Sequence, residues 1–398
     1  MKVAIMGYGT IGSGVATVLS TNKEVIAKRV GEPLELKYVL DLRDFPGDPN
    51  EDKLCKDYKE IAADKEVKIV VETMGGVEPA FTFVKAMLEA GKSVTTSNKA
   101  LVADKGAELL AIAKKNKVNF VFEAAVGGGI PIIRTLTDCL TGDVVEEIAA
   151  IINGTTNFML TNMAEKGCDY DEILAEAQRL GYAEKDPTAD VEGFDACRKI
   201  AILTSLITGK QVDFEKIPTE GISKITAVDF KYAKAMGRSI KLLARAVKTG
   251  DTYTCRVAPY MLSEDHTLYH VNGVMNAVYV KGNMLGDSMY YGAGAGSLPT
   301  ASAVVGDIVF LAKNVDRCVP IEWDSEELVL GDSMKQKFQF FVRANAPEAI
   351  VERTFDNVTY ANLDIDDECG FVTELLSESE FEERAKAMGS ILSVIRLA

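Results

Sequence analysis

Histidine is almost missing from this chain, with only His266 and His270 among 398 residues. Spaced i,i+4 they suggest a metal face, but Thr267-Leu-Tyr269 between them supplies no third ligand and no base, so both read as ordinary residues. Cysteine is thinly spread as well: seven thiols, at 55, 139, 168, 197, 255, 318 and 369, and no Cys-x-x-Cys pair. An odd, scattered set argues against a disulfide framework or a zinc site and for reduced thiols in the cytoplasm. Positive charge falls short, since 44 Lys and Arg against 59 Asp and Glu leave −15. That balance disfavours nucleic acid and anionic membranes as partners. No run approaches the ~20 apolar residues of a membrane span. The opening Met1-Lys-Val-Ala-Ile-Met-Gly7 enters a strand directly and lacks a signal-peptide pattern. What is present is a chain that is 47% apolar, long enough for a large core and two or three domains.

Lys2 to Met6 reads as a buried parallel strand. It leads into Gly7-Tyr-Gly9-Thr10-Ile11-Gly12, which opens a helical run. Placed between strand and helix, these glycines form a dinucleotide fingerprint: Gly7 for the turn, Gly9 for backbone approach to a pyrophosphate, Gly12 for close packing of helix on strand. A second strand, Leu34 to Leu40, ends in Asp41-Leu-Arg43. An acidic residue there suits the ribose hydroxyls of NAD and an arginine suits the 2′-phosphate of NADP, so the choice of cofactor stays open. Asp41 stands further from the glycines than the usual ~20 residues, which an extended first helix would explain.

Strands and helices keep alternating to about residue 130, the pattern of an open, doubly wound Rossmann sheet with ligands beyond its carboxyl strand ends. Thr73, Ser97, Asn98, Lys99 and Glu123 fall at such ends. Ala124-Ala-Val-Gly-Gly-Gly-Ile-Pro131 is a glycine loop suited to a domain crossover or to carbonyls holding a cation such as sodium. A second one, Gly292-Ala-Gly294-Ala-Gly296-Ser-Leu-Pro299, runs into a helix through Ala312. It reads as another anion-binding helix start, closing over the cofactor from the other domain, or as a mobile linker. Residues 131–320 read as an α+β catalytic and dimerisation domain, and acidic Glu322 to Asp332 as a linker. Residues 332–398 follow the order β-α-β-β-α-β of a small ferredoxin-like unit, with one strand over Val358 to Ile365.

The most charged stretch runs from Gly181 to Lys199 and holds Glu184, Asp186, Asp190, Glu192 and Asp195. Taken alone it reads as a solvated acidic loop before a helix on which Asp195 and Lys199 share a face. Its pattern, Ala177-x-x-x-Gly181-Tyr182-Ala-Glu184-x-Asp186-Pro187-x-x-Asp190-Val191-x-Gly193-x-Asp195-x-x-x-Lys199, resembles the homoserine dehydrogenase signature at every fixed position. The resemblance spans the first ~320 residues and includes the N-terminal glycines, Ser97-Asn98-Lys99-Ala100, Glu123 with its glycine loop, Asn153-Gly-Thr-Thr-Asn157 and Gly292 to Thr300.

It implies NAD(P)-dependent interconversion of L-homoserine and L-aspartate 4-semialdehyde, in threonine and methionine synthesis. It gives Lys199 the acid/base role, with Asp195 beside it, and Glu184 the substrate's ammonium, with Asp190 nearby. Lys99 goes beside nicotinamide and substrate, and sodium on Glu123 and the carbonyls of Val126, Gly128 and Ile130. Gly294 and Gly296 join the cofactor site. A homodimer or homotetramer is implied. The tail resembles an ACT domain, a sensor of amino acids such as threonine. It departs from the usual pattern at Ala344-Asn-Ala-Pro347-Glu, where glycine normally follows the proline, so regulation and dimerisation both stay open.

The chemistry agrees with this from below. Hydride delivery to an aldehyde creates an alkoxide that needs a proton donor, and without a plausible histidine a lysine must serve. Lys99 supplies the second cation that would tune Lys199. Two rivals remain. Aspartate semialdehyde dehydrogenase needs a cysteine nucleophile with a histidine base, and a nucleotide- and amino-acid-sensing regulator needs neither Lys199 nor its carboxylates.

Overall fold

Val3, Ala4, Ile5 and Met6 are fully buried, as a central strand covered on both faces requires. In the computed structural model, which describes every residue except 362, 364, 366 and 389, they lie in β1 (Lys2–Met6). The other strands of this sheet are β2 (Glu35–Leu40), β3 (Leu54–Cys55), β4 (Val67–Glu72), β5 (Ser93–Thr96) and β6 (Phe120–Val121). All pair in parallel, in the order β3-β2-β1-β4-β5-β6. That is the order of a dinucleotide-binding sheet, whose crevice opens where it reverses, beyond β1 and β4. Two helices, Thr10–Thr21 and Lys23–Val30, separate β1 from β2, which accounts for the long interval before Asp41.

The chain divides into two compact units. The first holds 1–144, 201–214 and 290–328; the second holds 145–200, 215–289 and 329–398. The second glycine loop therefore falls in the same unit as the fingerprint, not across from it. Its helix, Ser297–Lys313, lies beside the first, with Ser297 Oγ donating to the Thr10 carbonyl at 2.8 Å. Nor is the start of the acidic linker loose. Trp323 is buried against Gly106, and Asp324 N donates to the Gly209 carbonyl at 2.9 Å. Leu328 N likewise donates to the Gln211 carbonyl at 2.8 Å. The apolar payload of the lone tryptophan outweighs the surrounding acidity.

The second unit contains β7 (Val145–Ile151), β8 (Arg238–Thr249), β9 (Thr252–Ser263), β10 (Met275–Gly282), the first half of β11 (Gly286–Ala293), β12 (Lys337–Phe338), β13 (Phe340–Ala344), β14 (Thr359–Tyr360), β15 (Cys369–Val372), β16 (Leu376–Ser377) and β17 (Ile391–Leu397). Nine of them form one sheet, β11-β10-β7-β8-β9-β17-β13-β15-β14, and β12 pairs with β16. The tail contributes β17-β13-β15-β14, with helices Glu348–Thr354 and Glu378–Met388. This is the expected ferredoxin-like arrangement. Only Thr359 and Tyr360 of the strand expected over 358–365 are strand, and its positions 362 and 364 lie outside the described residues.

Joining of β17 to β9, in parallel with Arg396 opposite Tyr260, makes the tail a continuation of the nine-stranded sheet. The long β8 has no counterpart in the sequence reading because charged residues interrupt its pattern. Lys241 is buried there, held by the Val271 carbonyl at 2.7 Å and Asn272 Oδ1 at 2.6 Å, and Arg245 pairs with Glu147 at 2.5 Å.

Candidate active site

The first unit carries a cleft of 470 Å³ at the carboxyl ends of β1, β2 and β4. Each glycine of the fingerprint has a separate reason to be there. Gly7 has φ +95°, a conformation that L side chains rarely adopt. A Cβ on Gly12 would lie 2.0 Å from the Gly7 carbonyl oxygen. Gly9, just before helix Thr10–Thr21, has no atom beyond its chain neighbours within 4 Å of a Cβ position among the described residues. That leaves open space in front of the first amides of Thr10, Ile11 and Gly12, where a pyrophosphate can approach. Thr73 closes the turn: its Oγ1 donates to the Gly7 carbonyl at 2.8 Å.

Asp41 and Arg43 form one forked pair, Nε to Oδ1 at 3.0 Å and Nη2 to Oδ2 at 2.8 Å. The backbone N–H of Tyr8 also donates to Asp41, at 2.8 Å. The Arg43 guanidinium, aided by the Arg43 and Tyr8 amides and opposed by partial burial, holds the Asp41 carboxyl well below the usual range. Lys56 also lines this cleft, with its Nζ donating to the Arg43 carbonyl at 2.7 Å and to Asp44 Oδ1 at 2.7 Å.

Along the other strand ends, Ser97 N donates to the Glu72 carbonyl at 3.3 Å. Asn98 caps helix Lys99–Asn116 by accepting from Leu101 N at 3.2 Å. Lys99 is half-buried at the first position of that helix. Gly294 and Gly296 do not line the cleft: Gly294 lies at a crossing of the two glycine loops, and Gly296 caps helix Ser297–Lys313. A Cβ on Gly128 would stand 2.3 Å from the Gly294 carbonyl oxygen, and Gly129 N donates to the Ala293 carbonyl at 3.0 Å.

Glu123 is buried and accepts from Ile133 N at 2.7 Å, Arg134 N at 2.9 Å and Arg134 Nε at 3.1 Å. Asp307 lies alongside and accepts from the Glu123 amide at 2.9 Å and Thr95 Oγ1 at 2.9 Å. Its carboxyl is pushed up to about 7, mainly by burial and then by the charge of Glu123, with Arg134 opposing. Its Oδ1 is buried without a hydrogen-bond partner among the described residues. That oxygen lies on helix Ser297–Lys313 and is 3.6 Å from Arg134 Nε, while the loop after Glu123 is bent by positive φ at Gly127 and Gly128. An oxygen-rich corner of this kind fits a hard, oxygen-bound cation.

In the second unit the charged stretch is organised around buried Lys199. Its Nζ donates to Asp195 Oδ2 at 2.7 Å and to the Ile152 carbonyl at 2.7 Å. Asn153 braces the carboxylates: Nδ2 donates to Asp190 Oδ1 at 2.7 Å and to Asp195 Oδ2 at 2.9 Å. The same asparagine caps helix Gly154–Lys166 through its Oδ1, which accepts from Thr156 N at 2.8 Å. Thr155 Oγ1 donates to the Tyr182 carbonyl at 2.6 Å and ties down the start of the loop. Glu184 is exposed on that loop, apart from the buried cluster.

Neither the Ile152 carbonyl as a partner of Lys199 nor Asn153 as a partner of Asp190 and Asp195 is legible in the sequence. A polar Asn-Gly-Thr-Thr-Asn turn after a strand signals a helix cap, but which carboxylates its amide reaches is a tertiary fact. For Lys56 and Tyr8 no sequence signal existed.

Hydride exchange between a nicotinamide and a carbinol is the chemistry that a dinucleotide cradle and a held lysine serve. The class is therefore the NAD(P)-dependent dehydrogenases acting on CH–OH groups. Residues 7–123 match the homoserine dehydrogenase NAD-binding domain, and residues 131–309 match the homoserine dehydrogenase family itself. A homoserine dehydrogenase from Pseudomonas aeruginosa is 46% identical over 310 residues, 78% of this chain and 71% of that protein. One from Mycobacterium tuberculosis is 41% identical over 383 residues, 94% of this chain and 83% of that protein. The solved homoserine dehydrogenase from Thiobacillus denitrificans superposes with a TM-score of 0.90 at 36% identity, covering 100% of this chain and 98% of the other. A hyperthermophilic archaeal homoserine dehydrogenase in complex with NADPH gives a TM-score of 0.65 at 29% identity, covering 77% of this chain and 96% of that one. The chain belongs to the homoserine dehydrogenase family. It is an oxidoreductase of CH–OH groups that uses NAD(P), which removes both rival readings.

Proposed function

We propose that Lys199 is the acid and base through which this chain interconverts L-homoserine and L-aspartate 4-semialdehyde. The observation that carries this is the doubly held ammonium of Lys199, between Asp195 and the Ile152 carbonyl. Bound nicotinamide supplies or takes the hydride. In the reductive direction Lys199 gives its proton to the developing alkoxide; in the oxidative direction neutral Lys199 removes the carbinol proton. Asp195 fixes the amine in place, and Asn153 holds Asp195 and Asp190 in one frame. Exposed Glu184, with Asp190, takes the substrate ammonium, and Lys99 or backbone amides take its carboxylate. Glu123 and the carbonyls of Val126, Gly128 and Ile130 hold a sodium ion, which supplies fixed positive charge to a loop already tied to Arg134.

Arg43 supports acceptance of the 2′-phosphate of NADP, because it neutralises Asp41 and its side chain is 63% exposed at the cleft. Absorbance of the reduced nicotinamide with homoserine and either NAD or NADP tests the function. No rate with either cofactor, in sodium or choline salts, would overturn it. In the same assay Arg43→Ala is expected to raise the KM for NADP about tenfold, the worth of one charge-assisted contact, with little change for NAD. Equal effects on both cofactors would refute the assignment of Arg43.

The three-part division into residues 1–130, 131–320 and 332–398 is kept as a functional one. We assign the ACT-like tail a threonine-sensing or dimerising role, within a homodimer or homotetramer built through the middle domain. Exposed Met284, Leu285 and Met289, at the edge hairpin of the large sheet, support such an assembly. Threonine titration followed by both rate and sedimentation is expected to give a multimer. A monomer throughout would sink the assembly, and a flat rate would leave the tail without a sensing role. Seven cysteines outside any disulfide support a cytoplasmic location, checked by where activity fractionates.

A further inference from the structure

The tail touches the catalytic stretch by a specific route. On β17, Arg396 donates to Glu220 twice, Nη1 to Oε2 at 2.9 Å and Nη2 to Oε1 at 2.7 Å. It also forks onto Glu378, at the start of helix Glu378–Met388, through Nε and through Nη2 at 2.9 Å. Arg256 on β9 faces both carboxylates, 3.5 Å from Glu220 and 3.3 Å from Glu378. The Arg396, Arg256 and Glu378 side chains are all under a tenth exposed, whereas that of Glu220 is 45% exposed. Glu220 is thus the one member of the four with a foot outside the core.

Its backbone leads to the site. Glu220 N donates to the Val257 carbonyl at 2.8 Å, and Ile222 N donates to the Val191 carbonyl at 2.8 Å. Between them Gly221 lies flat on the catalytic loop, where a Cβ would stand 2.3 Å from the Val191 carbonyl oxygen and 2.5 Å from Glu192 Cα. Gly193, with φ +82°, packs back on the same segment, its Cβ position 3.1 Å from Thr219 Cγ2. Asp190 precedes this contact and Asp195 follows it. The Gly193 carbonyl also accepts from Cys197 N at 2.9 Å in the first turn of helix Phe194–Thr208, which carries Lys199.

We propose that Glu220, clamped by Arg396 and Arg256, is a positioning residue that sets the Asp190–Asp195 segment through Gly221, so that the ACT-like tail helps to fix the active-site geometry. The clamp works by register. A charge-assisted fork on Glu220 fixes residues 219–222 along β9, and the close crossing at Gly221 leaves the loop no freedom to shift. Misplacement of catalytic groups by about 1 Å costs ~100-fold in rate, so even a partial slip would be visible. The inference rests on the reading of Lys199 and Asp195 as catalytic, but one arm of its test does not depend on activity.

The test uses Glu220→Gln, Gly221→Ala and Arg396→Lys in the full-length chain. Glu220→Gln removes a half-exposed charge that faces two buried guanidiniums, so it is expected to fold with a lower thermal midpoint. Hydrogen exchange at the amides of Gly193 and Cys197 is expected to quicken about tenfold in it. Its kcat/KM for aspartate semialdehyde falls about tenfold in step, while the KM for the nicotinamide cofactor holds within about twofold. Gly221→Ala gives the same split more strongly, and Arg396→Lys, which keeps the charge and loses the fork, lies between Glu220→Gln and the parent chain. Unchanged exchange at Gly193 and Cys197 in Glu220→Gln and Gly221→Ala overturns the proposal. So does a lower thermal midpoint with kcat/KM intact, since the clamp would then be structural only. Should Glu220→Gln fail to fold, Gly221→Ala and Arg396→Lys decide by the same readouts. An inactive parent chain with the exchange result intact condemns the Lys199 assignment and leaves the clamp standing.

Discussion

Lys199→Ala is expected to lose a hundredfold or more in kcat while NAD(P)H still binds with parental affinity. Loss of a general acid that meets the developing alkoxide costs typically ~10²–10⁴-fold. The cofactor cleft of the first unit is lined by Gly7, Asp41 and Thr73, not by Lys199, so reduced-nicotinamide fluorescence titration should be unaffected. The substitution also removes the cation facing Asp195, which is 2% exposed. Breaking one side of a buried pair costs roughly 3–5 kcal/mol, so a lower thermal midpoint is expected as well.

Lys199→Arg separates the two effects. Its guanidinium keeps a positive charge beside Asp195 but is effectively never deprotonated, so the midpoint should recover while oxidation of homoserine stays lost. Turnover near that of the parent chain in Lys199→Ala would remove Lys199 from the chemistry. Recovery in Lys199→Arg would mean that charge, not proton transfer, is what the site needs.

What the sequence discloses and what it hides divide along the range of the interactions. The Gly7-x-Gly9-x-x-Gly12 turn is legible because each glycine answers a constraint set within a few residues of itself: a positive φ, an open approach, and a close approach to the Gly7 carbonyl oxygen, which a Cβ on Gly12 would meet at 2.0 Å. Asp195 and Lys199 are legible because a helix makes i,i+4 residues neighbours, and their 2.7 Å contact follows from that spacing. The bracing amide of Asn153 lies 37 residues from Asp190 and 42 from Asp195, and nothing local marks it as more than a helix cap.

Glu220 is a harder case still. Its partner Arg396 is 176 residues away, and alone it is an ordinary surface glutamate. The stretch from Glu322 hides for the opposite reason: its acidity suggests solvent, yet a single buried Trp323 fixes it. The long β8 was obscured by Lys241 and Arg245, which sit at strand positions only because Asn272 and Glu147 wait there.

Gly9→Ala should leave the protein as stable as the parent and yet raise the KM for NAD and NADP at least tenfold. With no atom beyond its chain neighbours within 4 Å of the new methyl among the described residues, the fold has nothing to rearrange, and the backbone at φ −85° suits alanine. The methyl instead occupies the space through which a pyrophosphate reaches the amides of Thr10, Ile11 and Gly12. Loss of even one such contact, about 1.4 kcal/mol, is a factor of ten. Gly12→Ala makes the opposite kind of damage. Its methyl would meet the Gly7 carbonyl oxygen at 2.0 Å and Thr73 Oγ1 at 3.0 Å, so helix Thr10–Thr21 must lift off β1. Overpacking of this kind costs about 1–3 kcal/mol, and the thermal midpoint should fall by some 2–4 °C for each of those. The pair therefore tells ligand approach from packing: a cofactor defect at unchanged midpoint for Gly9→Ala, and both together for Gly12→Ala. Unchanged KM for both cofactors in Gly9→Ala would mean that the dinucleotide does not pass over this turn, and the cleft between Gly7 and Asp41 would need another ligand.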